Sequence, residues 1–302
     1  MGFIKRIKNL LVLLLGFNSY LYGNINIVRM YTRFPRFLPI NVRIQHGWYH
    51  ELTSYNEDLV TERPIMLVWS KRMAEIWKAR SEKPVVILGS PFVLYRRMKN
   101  ILLRKDAKGT VVFPHHSTKS TQAEYELEEY CKALHSLPED FKPVTVCLYY
   151  MDMPLQGPIF ERNGFRVVTA GRPQWTGFRF VNRFYDILSK HQYSTSNLIG
   201  SYTFYAVEMG IPFFLSGKET TIKLRPGQKK LTSDTVFKNS DFMENLMRIF
   251  YGITRSISEE QRKVVLDEVG INDNLSPREL RRLFIKNLTP ARIIGKVHKL
   301  KS

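Results

Sequence analysis

Side chains able to do chemistry gather at a few places in this chain, each just past an apolar run. Gln45-His46-Gly47-Trp48-Tyr49-His50-Glu51 follows the apolar-leaning stretch 40–44. An imidazole at a strand end lies on the carboxyl edge of a sheet, where open α/β folds hold ligands. Histidine titrates near neutral pH, so His46 is a candidate general base. Gly47 would let the backbone come close to a substrate. The same residues also read as a surface loop with Trp48 packed nearby.

A second cluster, Pro114-His115-His116-Ser117-Thr118-Lys119, follows the strand expected at 109–113. Its hydrogen-bond donors suit a phosphate or a sugar, and a polar capping loop would look the same. Two adjacent histidines without a nearby carboxylate are weak evidence for zinc. Residues 193–215 read as a polar turn, a helix capped by Ser196 or Asn197, a stop at Gly210 and a buried strand over 211–215. Ser194, Thr195, Ser196 and Asn197, followed by Gly200 and Ser201, would place hydroxyls and free N–H groups around an anion. A plain core helix on Leu198, Tyr202 and Val207 is the other reading of that stretch. Glu208 falls near the helix C-terminus, where the dipole disfavours an anion, so it faces a ligand or a basic partner. Arg172, in Thr169-Ala170-Gly171-Arg172-Pro173 past another expected strand, could clamp a phosphate through two N–H groups.

The elements that must position these groups alternate. Strands are expected at 64–70, 84–89, 109–114, 143–150 and 165–171, and helices at 71–82, 92–104 and 178–191. A further helix is expected to open on the capping box Thr121-x-x-Glu124. Such alternation predicts parallel sheets joined by crossover helices. A basic junction at 105–109 divides the chain, giving an N-terminal domain at 1–104, a second at 105–260 and a basic helical tail at 261–302. The segment 216–233 reads as a polar surface loop, and the tail from 234 onward as mostly helical.

The chain has 302 residues, of which 44% are hydrophobic, which is enough for two modest cores and excludes global disorder. With 46 Lys and Arg against 27 Asp and Glu, the net charge is +19, which points to an anionic partner. Nucleic acid, an anionic membrane surface and a phosphorylated substrate all qualify. Cys131 and Cys147 are too few for a disulfide framework and fit a reduced, cytosolic setting. At the N-terminus, Lys5, Arg6 and Lys8 precede the apolar run 10–17, which is too short to span a bilayer. That segment is either a basic amphipathic anchor or an ordinary first element of the fold. Walker and dinucleotide-binding glycine loops, a Gly-x-Ser-x-Gly elbow, an Asp-x-Asp pair and an RNA-recognition aromatic pattern do not occur.

Taken together, Gln45-His46-Gly47, Pro114-His115-His116-Ser117, the turn 194–197 and the helix-Gly-x-Pro-strand run 206–213 resemble the GT-B glycosyltransferases. The likeness is to the bacterial capsule, lipopolysaccharide and teichoic-acid transferases that use CMP- or CDP-activated donors. It implies an α/β fold of two Rossmann-like domains with parallel sheets facing a cleft, and a helical C-terminal tail. It also implies a sugar transfer from a nucleotide-activated donor to a surface-glycan or lipid-linked acceptor, without a metal or other cofactor. His46, or Glu51 in its place, would be the base. His115, His116, Ser117, Thr118, Arg172, Ser194, Thr195, Ser196, Asn197, Gly200, Ser201 and Glu208 would hold the donor. The sequence departs from the family in its Pro-His order and in lacking an acidic residue followed by Gly. A cytoplasmic location on the inner face of the membrane, reached through the basic N-terminus, goes with this reading. A CDP-dependent glycerophosphotransferase on the same scaffold and a nucleic-acid-binding protein are the alternatives, the second disfavoured.

Overall fold

The computed structural model describes residues 21–50, 63–117, 121–174, 177–218, 220–224 and 240–288. The N-terminal basic segment, Glu51 and Thr118 lie outside the described residues.

The N-terminal sheet has three parallel strands in sequential order, β1 (Arg43–Ile44), β2 (Met66–Val68) and β3 (Val85–Ile87). Before it comes α1 (Asn24–Thr32). Between β2 and β3 lies α2 (Lys71–Lys78), which starts where Ser70 accepts a hydrogen bond from the Met73 N–H. Its apolar side, Met73, Ala74 and Trp77, is buried on Met66 and Val68. After β3, Pro91 takes the first turn of α3 (Pro91–Met98), where its missing N–H costs nothing. This helix stops at Met98 rather than running to 104, because Asn100 turns into the left-handed region at φ 50°.

The second sheet is also fully parallel. Its strands are β4 (Thr110–Val112), β6 (Val144–Cys147), β7 (Arg166–Val168), β8 (Tyr193–Ser196) and β9 (Phe213–Leu215), in the order β7-β6-β4-β8-β9. The chain winds outward from β4 to one edge, then returns to lay β8 on its other side. The carboxyl ends of β4 and β8 therefore flank the point where the winding reverses, and such a point opens a crevice. The crossover helices are α4 (Leu127–His135), α5 (Met153–Arg162), α6 (Arg179–Leu188) and α7 (Ser201–Glu208). Cys131 on α4 and Cys147 on β6 are both buried free thiols.

Three local expectations are corrected. Residues Thr121–Glu124 form a strand, β5, rather than a helix start, and α4 begins only at Leu127. The partner of β5 is β10 (Thr221–Leu224), antiparallel to it and inside the stretch expected to be loop. The helix in 193–215 starts at Ser201 with Gly200 at its cap, so the hydroxyl-rich residues before it belong to β8.

One apolar cluster runs through both sheets and the C-terminal helices, and includes Val28, Leu67, Val93, Phe113, Tyr205, Phe213, Val269 and Phe284. Those helices are α8 (Asp241–Ile249), α9 (Glu259–Val269) and α10 (Pro277–Lys286). The last two turn back onto the N-terminal sheet. The Ser90 N–H donates to Val269 O at 2.8 Å, the Leu275 N–H donates to Ile87 O at 3.2 Å, and Phe34 meets Phe284 edge-on. Gly270, at φ 61°, lies so close to Trp69 that a Cβ there would fall 1.7 Å from its carbonyl oxygen. The ends of β2 and β3 are thus covered by chain. The loop after β1 reaches instead across to the second sheet.

Candidate functional site

Gln45, buried at the end of β1, fixes that loop. Its side-chain oxygen accepts from the Trp69 N–H at 3.0 Å and its Nε2 donates to Gly47 O at 2.7 Å. Beyond it the chain meets the first turn of α7. The Trp48 N–H donates to Ser201 Oγ at 2.9 Å, and a Cβ on Gly47 would lie 3.5 Å from the same oxygen. The Trp48 ring lies on Phe204, with centroids 4.8 Å apart. Its indole N–H donates to Glu268 at 2.6 Å. Arg72 grips Glu268 through two nitrogens and donates to the carbonyls of Tyr49 and His50. Half-buried His46 therefore sits on a loop anchored from α2, α7 and α9, with its Nδ1 2.7 Å from the Tyr49 hydroxyl. None of Arg72, Glu268 or Tyr49 was expected in this role. Their partners are far apart in sequence, and a buried ion pair leaves no local pattern.

On the other side of the crevice, the ends of β4 and β8 are tied together. Asn197 Oδ1 accepts from the His115 N–H at 2.8 Å. That bond fixes the amide's orientation, because only the oxygen can accept. Its Nδ2 is then a buried donor that meets no acceptor among the described residues, on a residue only 4% exposed. A donor left without a partner there costs about 1–3 kcal/mol. Gly200, the cap of α7, follows after Leu198 and Ile199, so the orphan amide lies three residues before that cap. Ser117 is held by Asp152, whose carboxylate accepts from its N–H at 3.1 Å, and Ser117 Oγ accepts from the Ala123 N–H on β5. The His116 ring lies against Tyr149, with centroids 4.6 Å apart.

Burial pushes His115 down to about 3, with the neighbouring His116 charge adding to it, and burial pushes His116 down to about 4. Both rings are neutral at pH 7. A ligand there would meet neutral rings rather than imidazolium charge. The depressed values also set a pH dependence. Between about pH 4 and 6.5 the unfolded chain binds protons that the folded chain refuses. Stability is therefore complete above 6.5 and falls with acidification, by up to about 3 kcal/mol per ring at pH 4. Replacing both rings (His115→Asn, His116→Gln) is expected to flatten the decline in Tm between pH 6.5 and 4. An unchanged slope would show that these rings are not the acid-sensitive groups.

The remaining donor-site candidates separate. Ser194, Thr195 and Ser196 are fully buried strand residues whose hydroxyls are used inside the sheet. They donate to the carbonyls of Pro212, Phe214 and Phe113 at 3.2, 2.6 and 2.6 Å. Ser196 Oγ also lies 2.9 Å from the Tyr202 hydroxyl, which donates to Leu198 O and so closes the turn into α7. Glu208 is paired with Arg96 at 2.7 Å and Arg97 at 2.9 Å, its side chain 1% exposed, so of its two expected roles the basic partner is the one found. Arg172 is exposed after the edge strand β7, two strands away from β4. The geometry thus joins Gly47 and Trp48 to Ser201, and His115 to Asn197, with Gly200 between those two contacts; His46 precedes Gly47 on the same loop, its ring against Tyr49.

No family model and no curated protein matches this chain. Likenesses to solved structures include the following. The wall teichoic acid polymerase TagF aligns over 84% of this chain and 70% of its own, with 11% identity and a TM-score of 0.43. A variant of that polymerase soaked with CDPG aligns over 77% of this chain and 58% of its own, with 10% identity and a TM-score of 0.37. The apo lipopolysaccharide outer core galactosyltransferase WaaB aligns over 91% and 77%, with 10% identity and a TM-score of 0.31. This chain spans 58–70% of the length of those two polymerase chains.

Proposed function

We propose that this chain is a glycosyltransferase that takes a sugar from a nucleotide-activated donor and passes it to a hydroxyl acceptor on a surface glycan or lipid-linked carrier. The contact that carries the reading is the 2.9 Å hydrogen bond from Trp48 N–H to Ser201 Oγ. It supports a base on the β1 loop working beside the helix entrance at the reversal point of the second sheet. In the proposed step, His46 Nε2 takes the proton of the acceptor hydroxyl. The acceptor oxygen bonds to the anomeric carbon as the bond from that carbon to the donor phosphate oxygen breaks. The nucleotide leaves with the electron pair. The Asn197 amide, the neutral His115 ring and the first free N–H groups of α7 would hold the leaving phosphate, a stabilisation placed where charge develops. The reading needs no metal for this step, and a chelator is expected to leave turnover unchanged.

The test is a nucleotide panel. One member of the CMP, CDP and UDP set, supplied at about a hundred times its Kd, is expected to add about 2.7 kcal/mol of stability. The same nucleotide carried on a sugar should support turnover. Absence of any melting shift across the panel would end the proposal. Turnover with CDP-glycerol and with no nucleotide sugar would replace it with a glycerophosphotransferase.

A further inference from the structure

The link between the two sheets carries a surface that the proposed chemistry does not use. From Arg97 to Lys108 the chain is exposed almost throughout, and it holds Arg97, Lys99, Arg104, Lys105 and Lys108 against one acidic residue, Asp106. Three apolar side chains stand out among them: Leu102 is 62% exposed, and Met98 and Leu103 are each 37% exposed. Their exposure does not come from a loose backbone. The Ile101 N–H donates to Arg96 O at 3.0 Å, and the Arg96 guanidinium returns a bond to Ile101 O at 3.0 Å. Farther on, the N–H groups of Arg104 and Lys108 donate to the carbonyls of Ser189 and Lys190 just past α6. The loop is pinned at both ends, Ile101 packs on the core, and the leucines beside it point away from it. Arg97 and Arg104 have carboxylate partners in Glu208 and Asp186. Lys99, Lys105 and Lys108 make no ion pair among the described residues.

We infer that this loop docks the protein on an anionic lipid bilayer, with Leu102 and Leu103 entering the headgroup boundary and the lysines meeting lipid phosphates. Charge complementarity and the leucines argue for it jointly. A nucleic acid would engage the lysines but gains nothing from the exposed leucine pair, since its non-specific attraction is electrostatic. A second copy of the chain would repel this basic loop. Three apolar side chains also fall far short of the roughly 800 Å² per partner that a stable dimer needs. A bilayer uses both features, because apolar insertion and headgroup attraction add. The inference stands on this surface alone and does not depend on the glycosyltransferase reading.

The test uses the full chain and two kinds of vesicle, one of phosphatidylethanolamine mixed with phosphatidylglycerol, the other of phosphatidylcholine alone. Replacing the three lysines (K99Q, K105Q and K108Q together) is expected to weaken binding to the anionic vesicles by on the order of a hundredfold. It should also erase the preference between the two kinds. Replacing the leucines (L102S with L103S) should weaken binding roughly tenfold or more while leaving some preference. A local readout excludes other membrane-binding segments. Both native cysteines are buried, so L102C can carry a polarity-sensitive fluorophore, which should shift to the blue on anionic vesicles. Variants that bind as the parent does, or a probe that shows no shift, would overturn the inference. So would lysine-dependent binding to duplex DNA without any to vesicles.

Discussion

His46→Ala is expected to lower turnover by roughly 10²–10⁴-fold, the usual contribution of a general base. Nucleotide-induced stabilisation should remain, because the groups proposed to hold the nucleotide lie after β4 and β8, across the crevice from His46. The proposed step needs a free lone pair on Nε2, which requires the proton on Nδ1. The Tyr49 hydroxyl 2.7 Å away is then the acceptor of that N–H. Tyr49→Phe should therefore cost less than His46→Ala and act through ring orientation and tautomer. Steady-state kinetics with the active donor, alongside melting curves, separates these effects. A His46→Ala protein that stays folded, binds nucleotide and turns over at the parent rate would remove His46 from the mechanism.

Glu208→Gln is expected to cost about 3–5 kcal/mol of stability, because it leaves the Arg96 guanidinium buried without a counter-charge. Burial works against the charged form of Arg96, and the hydrogen bonds and charge of Glu208 outweigh it and raise the pKa. The two side chains are 11% and 1% exposed, and they tie α3 of the first sheet to α7 of the second. The more exposed Arg97 contributes little to the cost, as a screened partner. The loss should appear as a fall in Tm of about 5–8 °C for a chain of this size. A joint replacement, Arg96→Met with Glu208→Leu, should recover much of it, because it removes both charges and keeps apolar volume. A Glu208→Gln protein that melts with the parent would show that the pair is not what holds the sheets together. A specific loss of nucleotide binding at unchanged Tm would return Glu208 to the donor site.

The parallel α/β organisation was legible because it is written in short-range signals. Apolar runs such as Pro84-Val85-Val86-Ile87-Leu88 lie between helical periods, and Gly or Pro marks their ends. Those signals set which segments are strands to within a few residues. They also placed His46, His115 and Arg172 just past strand ends, where the structure has them. The misread elements are those whose identity depends on a distant partner. Ser194, Thr195 and Ser196 have no apolar alternation, and their hydroxyls fit a capping turn equally well by sequence. They become a core strand because neighbouring backbone carbonyls, including those of Phe113 and Pro212, accept their protons. Thr121–Glu124 has the letters of a capping box, but its backbone pairs with Thr221–Leu224, about a hundred residues later.

By itself, then, the sequence determined the class of fold and the positions of the polar clusters along the chain, since each follows from local periodicity and turn chemistry. The tertiary structure decided which clusters meet. The strand order brings the ends of β4 and β8 side by side and leaves Arg172 at the far edge. The anchored β1 loop brings Gly47 and Trp48 to the first turn of α7, while Glu208 is drawn into an ion pair with Arg96. These pairings join residues tens to hundreds of positions apart. They are fixed by burying one common core and by satisfying the charges buried with it, and neither leaves a mark in a local window of residues.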